Sequence, residues 1–182
     1  MAEDFSLLEN IVQKNIAETS DSTKFDWTKF IAEMEVGFTQ FGFREQSRGG
    51  VDNILIIKWL PSGDYITGTG ALRELRRNFP RARITLLSSR GVLEVMSERC
   101  PYVNEVITFG DVRCNVNDPT DLLKWAVEFS KKNLWHKRYR LAMNLKHWTM
   151  SWLELCIFYL CGAQERIAYV NCISTAIQTV RF

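Results

Sequence analysis

Apolar residues recur at helical spacing twice near the start of the chain. Leu7, Leu8, Ile11, Val12 and Ile16 form one set, and Phe30, Ile31, Met34, Phe38 and Phe41 form the next. The polar run Thr19-Ser20-Asp21-Ser22-Thr23 separates them, and Ser47-Arg48-Gly49-Gly50 follows the second. Residues 1–50 therefore read as a helical appendage and its linker, packed against the rest of the chain or against something outside it. Beyond residue 50 the pattern changes. Ile54-Leu55-Ile56-Ile57 is a short, uninterrupted, largely β-branched apolar run, which suits a strand buried on both faces of a parallel sheet and predicts the central one.

Strands are expected over Asn53–Leu60, Arg83–Ser88, Glu105–Phe109, Arg140–Leu145 and Arg166–Val170. Helices are expected over Thr69–Asn78, Val92–Arg99, from Asp118 to about Lys132, and over Trp148–Cys161. Their punctuation is chemical. Pro80 and Pro101 push the preceding residue out of helical geometry. Asp118-Pro119-Thr120-Asp121 combines a capping carboxylate, a first-turn proline and an acid near the positive end of the dipole, and Gly162 supplies a stop. Strict alternation over residues 51–182 predicts an α/β domain: an open, mostly parallel five-stranded sheet with helices on both faces. In such sheets ligands bind beyond the carboxyl ends of strands, near the switch in strand order. The turn Leu60-Pro61-Ser62-Gly63-Asp64-Tyr65, after the central strand, is therefore the first candidate for chemistry.

Composition narrows the field. The chain has 182 residues, 46% of them hydrophobic, enough for a real core. With 23 basic and 21 acidic residues the net charge is +2, so no global field recommends a nucleic acid, and no such partner is expected. Cys100, Cys114, Cys156, Cys161 and Cys172 form no C-x-x-C pair, and a reducing cytoplasm is the simplest setting. The start, Met1-Ala2-Glu3-Asp4-Phe5, lacks the basic and apolar regions of a secretory signal. The most apolar stretch, Trp152–Cys161, is too short to span a bilayer and contains Glu154. The expectation is a cytoplasmic protein with at most a peripheral contact at a membrane surface.

Familiar motifs fail one by one. Gly68-Thr69-Gly70-Ala71-Leu72-Arg73 begins like a dinucleotide fingerprint, but Arg73 stands where a small residue must let helix and strand approach. Gly63 and Gly68 have the spacing of the P-loop glycines, yet Thr69 and Gly70 follow where lysine and a hydroxyl are needed. What survives is a small-residue turn whose amides can hold an anion or a sugar hydroxyl. Asp64 has two readings: it accepts amide hydrogen bonds in that turn, or it takes a proton from a substrate hydroxyl. Arg73, Arg76 and Arg77 read as a solvated helix face. His136 and His147 lack a ligand-spaced partner, so no metal site is expected. No nucleophile elbow surrounds Ser62 or Ser151. Trp148, Trp152, Phe158 and Tyr159 can stack on a sugar or fill a core.

Ile54-Leu55-Ile56-Ile57-Lys58, Ser62-Gly63-Asp64, Thr69 and Ala71-Leu72-Arg73-Glu74-Leu75-Arg76-Arg77-Asn78-Phe79-Pro80 together resemble the amino-terminal half of family 9 glycosyltransferases, the heptosyltransferases of lipopolysaccharide assembly. The resemblance continues through Ala82–Leu87, Pro101–Ile107 and Gly162–Tyr169, and covers Asn53 to about Val170. It implies the Rossmann-like, acceptor-binding first half of a GT-B enzyme. Asp64 would be the general base for inverting transfer, Ser62 and Gly63 would shape its turn, and Thr69 would stand at the adjoining helix start near the cleft. It implies no metal or cofactor, and a nucleotide-sugar donor, an ADP-sugar, bound mainly by a second domain or partner chain. The acceptor would be a glycan or lipid-linked glycan, reached from the cytoplasmic side of the inner membrane, and this half alone would be inactive. Departures from the family are Asn144-Leu145-Lys146-His147, where an acidic residue, glutamine and glycine are common, and Gly70 in place of proline. A non-catalytic Rossmann-like binding module is the alternative.

Overall fold

The computed structural model describes residues 4–19, 24–43, 53–57, 62–88, 98–109, 112, 114–145 and 151–168, and for residues 62–65 the backbone alone. The expected helix over Val92–Arg99, the glycine linker Ser47–Gly50, Trp148, His147 and Cys172 lie wholly or mainly outside the described residues. Within them the elements are α1 (Ser6–Glu18), α2 (Trp27–Gln40), β1 (Asn53–Ile57), α3 (Ser62–Asn78), β2 (Arg83–Ser88), β3 (Glu105–Thr108), α4 (Pro119–Asn133), β4 (Leu141–Asn144), α5 (Trp152–Leu160) and β5 (Glu165–Ala168).

The five strands form one parallel sheet in the order β3-β2-β1-β4-β5, with β1 at its centre. Ile54, Leu55, Ile56 and Ile57 are all fully buried, each stabilising the fold by about 1.5–3 kcal/mol relative to an exposed position. Their alternation divides the core. Ile54 and Ile56 join Ile84, Leu86 and Leu72 of α3 on one face. Leu55 and Ile57 join Leu87, Ala142 and the buried sides of α4 and α5 on the other. The fold is thus α/β and Rossmann-like, as the alternation predicts.

The hairpin α1–α2 packs onto the α4–α5 face and shares its core. Gly37 permits close approach of the two helices, since a Cβ there would meet Ile11 Cδ1 at 2.7 Å and Leu8 Cδ2 at 2.9 Å. Phe5 lies 5.0 Å from the Phe41 ring and 5.2 Å from the fully buried Trp135. Polar ties reinforce the docking. Tyr159 Oη donates to the Ile31 carbonyl (2.9 Å), Lys131 pairs with Glu9 (2.6 Å), and the Arg138 guanidinium lies 4.1 Å from the centre of the Phe43 ring.

Helix α4 begins as its sequence specifies, with the Asp118 carboxylate accepting from the Thr120 and Asp121 amides. Helix α5 ends at Gly162, whose φ of +73° is the left-handed stop conformation. Three expectations require correction. Helix α5 starts at Trp152, behind its Ser151 cap, and not at Trp148. Helix α3 starts at Ser62 and not at Thr69, so most of the expected turn is helix. Arg76 is not part of a solvated face: its guanidinium donates to the Tyr102, Pro80 and Ala82 carbonyls and to Asn104 Oδ1, clasping the end of α3 to the turns around β2. Arg73 and Arg77 do lie in solvent, paired with Glu74.

Candidate functional site

In a sheet of order β3-β2-β1-β4-β5 the chain moves outward from β1 to β3 and then crosses to β4, so the switch in strand order falls between β1 and β4. The carboxyl ends of these two strands define the candidate site. Ile57 pairs with Asn144 across it, and the Leu145 amide donates to the Ile57 carbonyl (3.1 Å). Asn144 is a buried polar residue at the end of β4, and Ser88, fully buried, ends β2. The Ser88 hydroxyl has no hydrogen-bond partner among the described residues. Ser88 completes an apolar strand, and a polar residue at that position was a signal the sequence carried.

Ser62, Gly63 and Asp64 occupy the first turn of α3, which opens at this same edge because it follows β1. Their side-chain geometry lies outside the described residues. Thr69 is placed differently from its expectation. It is the eighth residue of the helix, roughly 10 Å along the axis from Ser62. Its hydroxyl donates back to the Ile66 carbonyl (2.6 Å), so it does not stand at the helix start. Gly68 and Gly70 also fall in the helix interior. A Cβ on Gly70 would meet nothing within 4 Å, so no close backbone approach demands glycine there. The helix start with free amides is therefore the first turn at residues 62–65, and not the Gly68–Gly70 stretch.

The next helix start at this edge belongs to α5. Ser151 caps it, accepting from the Glu154 amide (3.3 Å), while Glu154 Oε2 accepts from the Ser151 amide (2.7 Å) and hydroxyl (2.8 Å). This reciprocal box is written in the sequence as Ser-x-x-Glu before an apolar run, a signal the motif reading passed over. Glu154 is buried by the arrangement, at 1% exposure, and Ser151 is thereby a capping residue. Of the four aromatics proposed for sugar stacking or core, Phe158 is buried and Tyr159 half-buried, but Trp152 is 49% exposed. Its indole stacks on that of Trp27 from α2, with centroids 5.5 Å apart and planes inclined by 20°.

Among the described residues no group of histidine, cysteine or carboxylate side chains could hold a metal ion, and His136 is exposed. Cys100, Cys156 and Cys161 are buried free thiols and Cys114 is half-buried. Burial, with Cys114 adding to it, pushes the Cys156 thiol up to about 12, which removes it as a nucleophile at neutral pH. No helix among the described residues is long and apolar enough to cross a membrane.

No family model and no curated protein matches the chain. Among solved structures it is similar to the crystal structure of the glycosyl transferase family 9 from Veillonella parvula DSM 2008, at 22% identity and a TM-score of 0.46, over 68% of this chain and 34% of that one. The chain therefore spans about a third of that protein's length. A likeness this slight has no bearing on activity.

Proposed function

We propose that this chain is the acceptor-binding half of an inverting glycosyltransferase, moving a heptose-like sugar from a nucleotide-sugar to a lipopolysaccharide-type or other glycan acceptor. The observation that carries the reading is the position of Ser62-Gly63-Asp64 in the first helical turn after the central strand, at the switch in strand order. The segment that resembles family 9 glycosyltransferases most specifically coincides with that turn and its helix.

In this reading Asp64 accepts the proton of an acceptor hydroxyl as that oxygen attacks the anomeric carbon. The new carbon–oxygen bond forms while the bond to the nucleoside diphosphate breaks, and the configuration inverts. A positioned carboxylate contributes about 10²–10⁴-fold to such a step. The charge on the departing diphosphate needs donors outside the described residues, supplied by a donor-binding domain or partner chain.

A carboxylate in the first turn of a helix also complements the positive end of the dipole. That placement of Asp64 favours the second reading, a Rossmann-like module that binds a partner or glycan without catalysis. Sugar-nucleotide turnover by the chain mixed with a family donor domain separates the two. Turnover that Asp64→Asn lowers about 10²–10⁴-fold, with thermal unfolding unchanged, is the expected result. Turnover retained within a few-fold refutes the base assignment. Silence in a mixture that associates and binds donor favours the module.

A further inference from the structure

The hairpin α1–α2 has no role in the reaction just described, yet it places Trp27 against Trp152 at the carboxyl edge of the sheet. We propose that this indole pair is a carbohydrate platform, a second contact for the glycan acceptor outside the Asp64 turn. The inference rests on the acceptor reading and adds a subsite to it.

The geometry is that of a braced surface. Behind the pair, Phe25 meets Trp27 edge-on at 4.9 Å and Phe30 meets it edge-on at 6.3 Å, and both phenylalanines are buried. The rear ring is therefore fixed by packing, while Trp152 remains 49% exposed. An indole at the first position of a helix gains little from propensity, and a stack left half in water forgoes much of the burial that tryptophan offers a core.

The surroundings select the occupant. Trp27 and Trp152 each open a helix, and the two N-caps beside them are Asp26 and Ser151, both exposed. Lys24, Thr28 and Lys29 are exposed as well. Among the described residues the pair is therefore flanked by hydroxyl, carboxylate and ammonium groups. A pyranose or heptose ring matches that pattern, with an apolar C–H face for the indole and hydroxyls for the rim.

The two helix starts lie on opposite faces of the sheet, α3 against Ile54 and Ile56, α5 against Leu55 and Ile57. A glycan on the platform must cross the sheet edge to reach Asp64, so the ligand class is an oligosaccharide and not a single sugar.

The test uses the full chain without donor, titrated with delipidated lipopolysaccharide core oligosaccharide and separately with maltohexaose. Tryptophan fluorescence and saturation-transfer NMR read the binding. Trp152→Ala is expected to weaken the core oligosaccharide about tenfold, Trp152→Phe to restore much of the loss, and Val36→Ala, an exposed apolar site elsewhere, to change nothing. Binding that Trp152→Ala leaves intact overturns the platform and leaves the acceptor reading standing. No binding of either oligosaccharide to the wild-type chain also overturns it, and the Asp64→Asn turnover assay then judges the acceptor reading separately. Equal tenfold losses for both sugars retain the platform as a general glycan contact.

Discussion

Gly162→Ala tests whether the helical hairpin and the sheet form one cooperative unit. The residue sits at φ +73°, where an L side chain costs about 1–2 kcal/mol. A Cβ there would also lie 2.6 Å from Cδ1 and Cε1 of Phe43, three residues beyond the end of α2. That ring cannot swing away freely: Phe43 is 3% exposed, with Phe38 and Phe41 at 5.2 and 5.8 Å. Overpacking of this kind adds about 1–3 kcal/mol, so the substitution should cost about 2–5 kcal/mol in total. At a urea m-value of about 2 kcal/mol/M the midpoint falls by about 1–2.5 M. The Phe43→Val background removes the ring atoms, and Gly162→Ala should then cost only the backbone share, about 1–2 kcal/mol. Urea unfolding followed by tryptophan fluorescence and far-ultraviolet circular dichroism supplies all four corners of the cycle. A cost below about 1 kcal/mol in the wild-type background, or an equal cost in both backgrounds, refutes the docking described above. So does a hairpin transition separate from that of the sheet.

Further outcomes follow from the same contacts. Arg166, with only 6% of its side chain exposed, lies 3.6 Å from Glu35 of α2 and 4.9 Å from the Tyr159 ring centre. Glu35→Leu removes a carboxylate beside that guanidinium and should cost about 2–4 kcal/mol in urea unfolding, and an unchanged midpoint would contradict the ion pair. Burial opposes ionisation of Glu105, but Lys137 and Arg83 outweigh it and hold the carboxyl below its ordinary 4.5. A depressed folded value gives stability that is present above the unfolded value and lost as pH falls through the folded one. Glu105→Gln should therefore lower the urea midpoint at pH 7, with the gap to wild type shrinking as pH falls below 4.5 and through the folded value, and a constant gap would contradict this. Cys156 should resist iodoacetamide in the native chain at pH 8 and react only in urea, read by peptide mass mapping, and its alkylation at the rate of an exposed thiol would contradict the burial.

The sheet was legible because its signal is local and strong. Four consecutive apolar residues at Ile54–Ile57, bounded by polar positions, have few alternatives to a central parallel strand. Asp118 and Gly162 likewise act within a few residues of themselves. The start of α3 was not legible because Gly63, Gly68 and Gly70 lower helix propensity by about 1 kcal/mol each, and packing of Leu72 in the core overrides that preference. Arg76 escaped because its acceptors, Tyr102 and Asn104, are remote in sequence, and local spacing marks only the helix face. Trp27 escaped for the same reason. Nothing near it foretells a partner at residue 152, and the pairing exists only because the hairpin folds back across α5. At the candidate site, the position of Ser62-Gly63-Asp64 after the central strand was legible, and so were the Ser151-x-x-Glu154 box and the polar end of β2 at Ser88, local signals of which only the depth of burial depends on layers that the folded chain brings together.

The two ends of the sheet carry different chemistry. Every strand begins at or beside a polar or charged residue. Asn53 donates to the Lys137 carbonyl (2.9 Å), Glu105 receives both Lys137 (2.6 Å) and Arg83 (3.2 Å), and Arg140 holds Glu165 (3.0 Å) together with Gln164. Arg76 closes the same end by binding the turns before β2 and β3. The pairs there are satisfied within the chain, and most are worth only about 0.2–1 kcal/mol each, the common range for exposed ion pairs. At the carboxyl end the strands finish in Ser88 and Asn144, two helices open, and an indole is left half exposed. Substitutions among the amino-edge pairs should therefore change stability and leave glycan binding alone, while at the carboxyl edge Trp152, half in water, is the position whose loss should change binding more than stability. The separation is one of degree: the amino-edge charges are committed to internal partners, whereas the carboxyl edge keeps, beside the Ser151–Glu154 capping box, an indole half in water.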